Sequence, residues 1–262
     1  MLEKSQEELE QMAAAINTLA AFCGKRDLPR LSREELRRYC GVSRADCMML
    51  FGESIPCAGD VAAQAIQEDM VDLFMIVGGE RSTTDSLRRK FHRAFWDIEV
   101  TGKMEADIFA EYLYRQYGVA PDWIERDSRN FSDSIANALF ILRENQVFPK
   151  TILIIQDAVM QRRAEEGLRK YLGDSVTLVS YAGYQVQVRV RDGGLIFVPG
   201  DVLGMWEMDE YIALLLREIP RLRDDQEGYG PKGKDRIAHV EIPPEVLEAY
   251  EVLRAAAAPD GE

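Results

Sequence analysis

The sequence holds only two histidines, His92 and His239, and its four cysteines form no CxxC pair. So few soft and nitrogen ligands leave little from which to build a zinc site, and no metal is expected. The same scarcity argues against Ser-His-Asp or Cys-His catalysis. His92 lies in the charged stretch RRKFHRAFW and His239 near the C-terminal region, and neither has an obvious nucleophile beside it. Cys23, Cys40, Cys47 and Cys57 read instead as free thiols, mostly buried. Long apolar runs are missing too. The best candidate, residues 12–23, is interrupted by Asn17 and Thr18, whereas a bilayer span needs roughly 20 apolar residues. The opening MLEKSQEELEQ is acidic where a secretory leader is basic, so a cytoplasmic location and no membrane span are expected. Positive charge is also short: 32 Lys and Arg stand against 45 Asp and Glu, a net charge of −13. Nucleic acid and anionic membranes are therefore poor general partners, although a local cationic pocket remains open.

What is present is an α/β rhythm. Apolar runs too short for helices end abruptly in polar or glycine residues: ADCMMLFGE (45–53), LFMIVGGER (73–81) and TILIIQDAVMQRR (151–163). Such runs suit strands buried on both faces. Helical spacing between them implies right-handed βαβ units. The expected architecture is Rossmann-like: a three-layer α/β/α sandwich with a mainly parallel sheet. Residues 1–44 read as a helical cap, 45–199 as the α/β domain, and 200–262 as a helical and loop extension packing on the core. The glycine-rich, charged stretch 221–236 reads as loop, folding back on the core and available as a lid for the crevice, with a docking surface as the alternative.

In an open parallel sheet, ligands bind beyond the carboxyl ends of the strands. That rule selects the candidate residues. Gly52 and Glu53 follow the first strand, and Gly78, Gly79, Glu80 and Arg81 the second. A two-glycine turn admits a ligand close to the backbone, although a tight strand-to-helix turn needs the same residues. Glu105 opens a helix, where a carboxylate also answers the macrodipole. The loop RDSRNFSDS (126–134) carries more polar groups than helix capping requires, which brings in Ser128 and Asn130. After the strand at 152–155 come Gln156 and Asp157, then Arg162 and Arg163 as candidate anion contacts. Consecutive helical residues point about 100° apart, so one of the two arginines is expected to face the crevice.

These residues resemble the YdcF-like proteins, within the wider group that includes the SanA and ElyC envelope proteins. The wider pattern comprises a strand ending at Gly52, IVGG, the pair Glu105-Ala106, E-x-x-S-x-N (Glu125, Ser128, Asn130) and a strand leading to Gln156, Asp157, Arg162 and Arg163. The narrower pattern is QD-x-x-MQRR together with E-x-PRLRDD-x-x-GYGP-x-G-x-D (218–235). Where the wider family has a Glu-Asn pair, this chain has Asp133-Ser134. The resemblance covers roughly residues 44–244. It implies a Rossmann-like fold, a cleft at the strand carboxyl ends and S-adenosylmethionine as ligand, with no established reaction.

Three functions follow as expectations. The first is a protein that binds a small nucleotide-like ligand, S-adenosylmethionine foremost, with Glu53 or Glu80 on ribose hydroxyls, Asp157 at the cationic end and Arg162 on the carboxylate. The second is a hydrolase or transferase acting on a phosphate or nucleotide-sugar anion, with Glu105 and Asp157 as catalytic acid and base and with Arg81, Arg162 and Arg163 holding the substrate. The third is a non-catalytic interaction module.

Overall fold

The computed structural model describes residues 4–52, 55–81 and 83–258. Its centre is a five-stranded, wholly parallel sheet of β1 (Cys47–Phe51), β2 (Phe74–Val77), β3 (Trp123–Glu125), β4 (Thr151–Ile155) and β5 (Thr177–Ser180), in the order β3-β2-β1-β4-β5. The chain starts in the middle, winds outward to β3, then returns to lay β4 on the other side of β1. The topological switch point therefore lies between β1 and β4, where this class of sheet opens a crevice.

Strand side chains alternate between two cores. Cys47, Met49 and Phe51 of β1 join Met75, Val77, Ile152 and Ile154 on one face, while Met48 and Leu50 join Phe74, Ile76, Leu153 and Ile155 on the other. All fourteen positions of β1, β2 and β4 are buried, which explains why their sequences read as continuous apolar runs rather than alternation. The second face is covered by α2 (Arg33–Cys40), α3 (Cys57–Gln67), α4 (Thr84–Ala94) and α5 (Glu105–Tyr117). The first is covered by α1 (Gln6–Cys23), α6 (Phe131–Glu144), α7 (Gln161–Leu172), α8 (Met208–Leu222) and α9 (Pro244–Ala257). The three-layer Rossmann-like reading is what the molecule shows.

The two chain ends are less separate than expected. Ile16 and Leu19 of α1 are fully buried in the same core as Leu215 and Ile219 of α8 and Leu253 of α9. The N-terminal helix is thus part of one layer rather than a cap. The segment 194–199 reads as strand-like from its sequence, and two elements lie outside that reading, its partner strand and a C-terminal helix. β6 (Gln187–Arg191) pairs antiparallel with β7 (Gly194–Val198) as a separate hairpin, and its Val188 is tied to Asn17 of α1 through both backbone groups. α9 carries Val246, Ala249, Tyr250 and Leu253 on one buried stripe.

The stretch 221–236 packs, as expected, but not over the crevice. Its turns close on themselves, with Asp225 accepting from the Glu227 and Gly228 N–H groups and Asp224 from that of Lys232. It docks on the later part of α7 through Lys170–Asp235 and Ala238 N–H to the Glu166 carbonyl. Because α7 runs back from the strand carboxyl ends, this places the loop away from them.

α7 and α8 are joined by an ion pair removed from water: Arg163 Nε lies 2.6 Å from Glu218 Oε1, with the two side chains 3% and 2% exposed. Stranding one buried charge costs about 3–5 kcal/mol, whereas replacing both by apolar groups is often neutral. Glu218→Leu is therefore expected to lower urea-unfolding stability by several kcal/mol, and Arg163→Met/Glu218→Leu to recover most of that loss. A double variant no better than the single would contradict the assignment.

Candidate functional site

At the carboxyl end of β1 and β2 the backbone is pared down to glycine for a steric reason. A Cβ on Gly52 would sit 2.6 Å from the Glu105 Cβ, and one on Gly78 would sit 2.9 Å from the same atom. The start of α5 is thereby drawn onto the sheet, with Glu105 N–H and Ala106 N–H donating to the Gly79 and Gly78 carbonyls at 3.1 and 2.9 Å. Glu105 is wholly buried there, and its Oε1 accepts from Thr84 Oγ1 at 2.8 Å. The helix N-terminus favours its charge. Gly79 has a different neighbour: a Cβ would fall 1.9 Å from the Ser128 carbonyl oxygen, and its N–H donates to Ser128 Oγ at 3.2 Å.

β3 supplies the next wall. Glu125 is 2% exposed and holds the polar loop through one oxygen, Oε1, which accepts from Asp127 N–H, Ser128 N–H and Asn137 Nδ2 at 2.8–2.9 Å. Asn130 spends its side chain as the N-cap of α6, accepting from Asp133 N–H. Arg81 donates to Ser134 Oγ, and Glu80 sits at the rim between Arg88, at 3.0 Å, and Arg129, at 3.6 Å. Gly52, Gly78, Gly79, Glu80, Arg81, Glu105, Ser128 and Asn130 are thus gathered at one end of β1, β2 and β3. Glu53 lies outside the described residues.

Three further groups stand out in this region. Thr83 Oγ1, Glu125 Oε2 and Ser132 Oγ are buried and have no hydrogen-bond partner among the described residues. They sit respectively at the start of α4 after β2, at the end of β3 and in the first turn of α6. Buried polar groups are nearly always satisfied, and leaving one unpaired costs about 1–3 kcal/mol. Thr83 stands at the N-cap position of α4 yet its hydroxyl caps nothing. Ser132 belongs to the polar surplus that the sequence shows in the loop 126–134, whereas Thr83, a capping residue by its position, gives no such signal. Capping by Asn130 alone was the clue that the loop's other hydroxyls were surplus.

The β4 side is different, and here the sequence expectations need correction. Asp157 is wholly buried, and both oxygens are engaged: Oδ1 accepts from Val159 N–H at 2.9 Å and Tyr184 Oη at 3.0 Å, and Oδ2 from Trp206 Nε1 at 2.8 Å. Trp206 belongs to a strap between β7 and α8. Lys90 lies over its ring at 4.0 Å and donates to the Gly204 and Met205 carbonyls, and Gly204 rests on Pro56 after β1. The strap therefore crosses the β1–β4 switch point itself. Gln156 is consumed in the turn, its Oε1 accepting from Asp157 N–H and its own N–H donating to Gln161.

Neither arginine of the QRR segment faces the crevice. Arg162 donates to the Phe22 carbonyl at 2.7 Å and lies over the Phe22 ring, supplying a cation to the end of α1, whose last turn has none. Arg163 turns to Glu218 and Phe131. Helical register forced the two apart, and in α7 both directions are occupied by neighbouring helices.

Burial keeps Cys23, Cys47 and Cys57 unreactive. Desolvation pushes the Cys23 and Cys57 thiols well up and Cys47 up to about 12. Among the described residues no three His, Cys, Asp or Glu side chains converge as a metal-ligand set, and no helix is long and apolar enough to cross a membrane.

Desolvation raises Asp157 to about 6 from 3.8, against the downward pull of Trp206, Val159 and Tyr184. An acid whose folded pKa is raised stabilises the fold below its unfolded pKa and loses that contribution as pH rises to the folded value. The expected loss between pH 4 and 7 is on the order of 3 kcal/mol relative to Asp157→Asn, which does not titrate. Paired denaturation curves check this, and a constant difference between the two proteins across that range would contradict it.

No known protein-family model matches the chain.

Proposed function

We propose that the chain binds a small, hydroxyl-bearing nucleotide-like ligand at the carboxyl ends of β1, β2 and β3, with S-adenosylmethionine the lead candidate. The observation that carries this reading is a set of three buried polar atoms with no hydrogen-bond partner among the described residues, Thr83 Oγ1 after β2, Glu125 Oε2 at the end of β3 and Ser132 Oγ in the first turn of α6, which all follow two neighbouring strands. One carboxylate oxygen and two hydroxyls form a donor and acceptor set suited to ribose hydroxyls and ring nitrogens. Arg81 and Glu80 at the rim offer opposite charges for an amino-acid end. The resemblance to YdcF-like proteins supports the choice of ligand. Asp157 and Arg162, earlier assigned to the two ends of the molecule, have no part in it, because Trp206 and Phe22 hold them.

S-adenosylmethionine brings an electrophilic methyl group when bound. The residues here account for holding such a molecule through polar recognition by Thr83, Glu125 and Ser132. An anionic-substrate hydrolase built on Glu105 and Asp157 fares worse, since Asp157 is sealed beneath Trp206.

Thermal unfolding with S-adenosylmethionine, S-adenosylhomocysteine, ATP, NAD and inorganic phosphate tests the reading. A ligand at 100 times its Kd adds about 2.7 kcal/mol, roughly 5–10 °C for a chain of this size. The expected result is a shift with the adenosyl-sulfur compounds that Thr83→Val and Ser132→Ala each reduce by at least half. The same two variants remove an unpaired buried hydroxyl, so without ligand they should match or exceed the parent in stability. A full ligand shift in both variants, or a shift with phosphate alone, contradicts the proposal.

A further inference from the structure

Beyond Thr83 the molecule has a second opening, between α4 and α8. Two adjoining cavities of about 620 and 480 Å³ share Ser86, Arg89 and Glu210, so they form one groove. Lys90, Arg93 and Glu207 line the first, and Thr83 and Arg217 the second. Four cationic side chains thus face two acidic ones in a chain whose net charge is −13.

The arginines here are uncommitted, unlike many on this surface. Arg33, Arg38, Arg44 and Arg115 are all engaged by carboxylates, and Arg88, on the same helix as the groove, is held by Glu80 and Asp85. Among the described residues Arg89 and Arg93 have no such partner, and Arg217 donates only to the Ala213 carbonyl of its own helix. Arg89 and Arg93 are one helical turn apart and so project from the same face of α4, while Arg217 comes from α8 opposite. Lys90 is already spent on the strap. In a chain with an excess of acids, three unpaired guanidinium groups around one cavity are a concentrated positive field on an otherwise negative surface.

We propose that the α4–α8 groove is an anion site that takes an oligophosphate chain, with Arg89 and Arg93 on one wall and Arg217 on the other gripping successive phosphates. Guanidinium forks match phosphate oxygens in pairs, and a cavity of this volume is ample for a di- or triphosphate. Apolar surface from Val202, Met205 and Leu214 lines the same groove and limits the water competing for those contacts. The groove meets the strand-edge crevice at Thr83, which lines its second cavity, but the phosphate contacts are Arg89, Arg93 and Arg217, so it stands whether or not the crevice takes a nucleoside.

The test is calorimetric titration of the full chain with sodium tripolyphosphate, at low and at physiological salt. The expected result is saturable binding that weakens with salt and loses about tenfold in affinity in Arg89→Ala and in Arg217→Ala. Arg191→Ala, an exposed arginine on the β6–β7 hairpin, should leave it unchanged. ATP in parallel separates the sources. Equal affinity for ATP assigns the site to a phosphate chain alone, and tighter ATP binding that Arg89→Ala abolishes assigns it to a nucleotide. Absence of binding at millimolar tripolyphosphate, or an equal loss in Arg191→Ala, overturns the proposal.

Discussion

The hydrogen bond from the Trp206 indole to the buried carboxylate of Asp157 decides how this sheet can be used. A doubly wound sheet leaves its deepest crevice where the chain reverses direction, which here is between β1 and β4. That position is filled from above by the strap carrying Trp206, held by Lys90 and seated on Pro56. Asp157 tolerates burial because Val159 N–H, Tyr184 and Trp206 all donate to it. With the switch point closed, buried oxygens of Thr83, Glu125 and Ser132, at the ends of β2 and β3 and in the helices that follow them, still lack partners among the described residues. The proposed ligand site is displaced to that half of the edge.

The same closure explains the fate of α7. A QRR segment after a buried strand has the composition of an anion site, but α7 is pressed between the end of α1 and the face of α8. Arg162 answers the exposed carbonyls of α1 and Arg163 the buried Glu218. Both are cross-braces tying the chain's two ends to the central sheet. Positive charge available to a ligand is found instead on α4 and α8, outside the segment that looked most functional.

Much of the architecture was legible because the strands obey one rule: buried on both faces, they read as unbroken apolar runs with glycine or polar residues at the exit. β6 was harder. QVRVR alternates, as a strand with one wet face should, yet two arginines in five residues read as surface. The better signal was the pair Asp192-Gly193 between two short strands, a two-residue hairpin turn, with positive φ at both residues. α9 carried a signal that went unread, Pro244 at its start and the stripe Val246, Ala249, Tyr250 and Leu253. In the candidate site, residues on β1–β3 were found because each follows its strand directly. Trp206 was not: it reaches Asp157 from 49 positions further along, and no local pattern encodes that meeting.

The central claim is that the closed switch point directs ligand to the β1–β3 half of the sheet edge. Backbone hydrogen exchange with and without saturating S-adenosylmethionine tests it most directly. The account expects added protection in residues 78–81 and 125–134, with exchange at 157–163 and 202–206 unchanged. Protection centred on 157–163, or faster exchange of the strap on binding, would mean that ligand displaces Trp206 and occupies the switch point, contrary to this account.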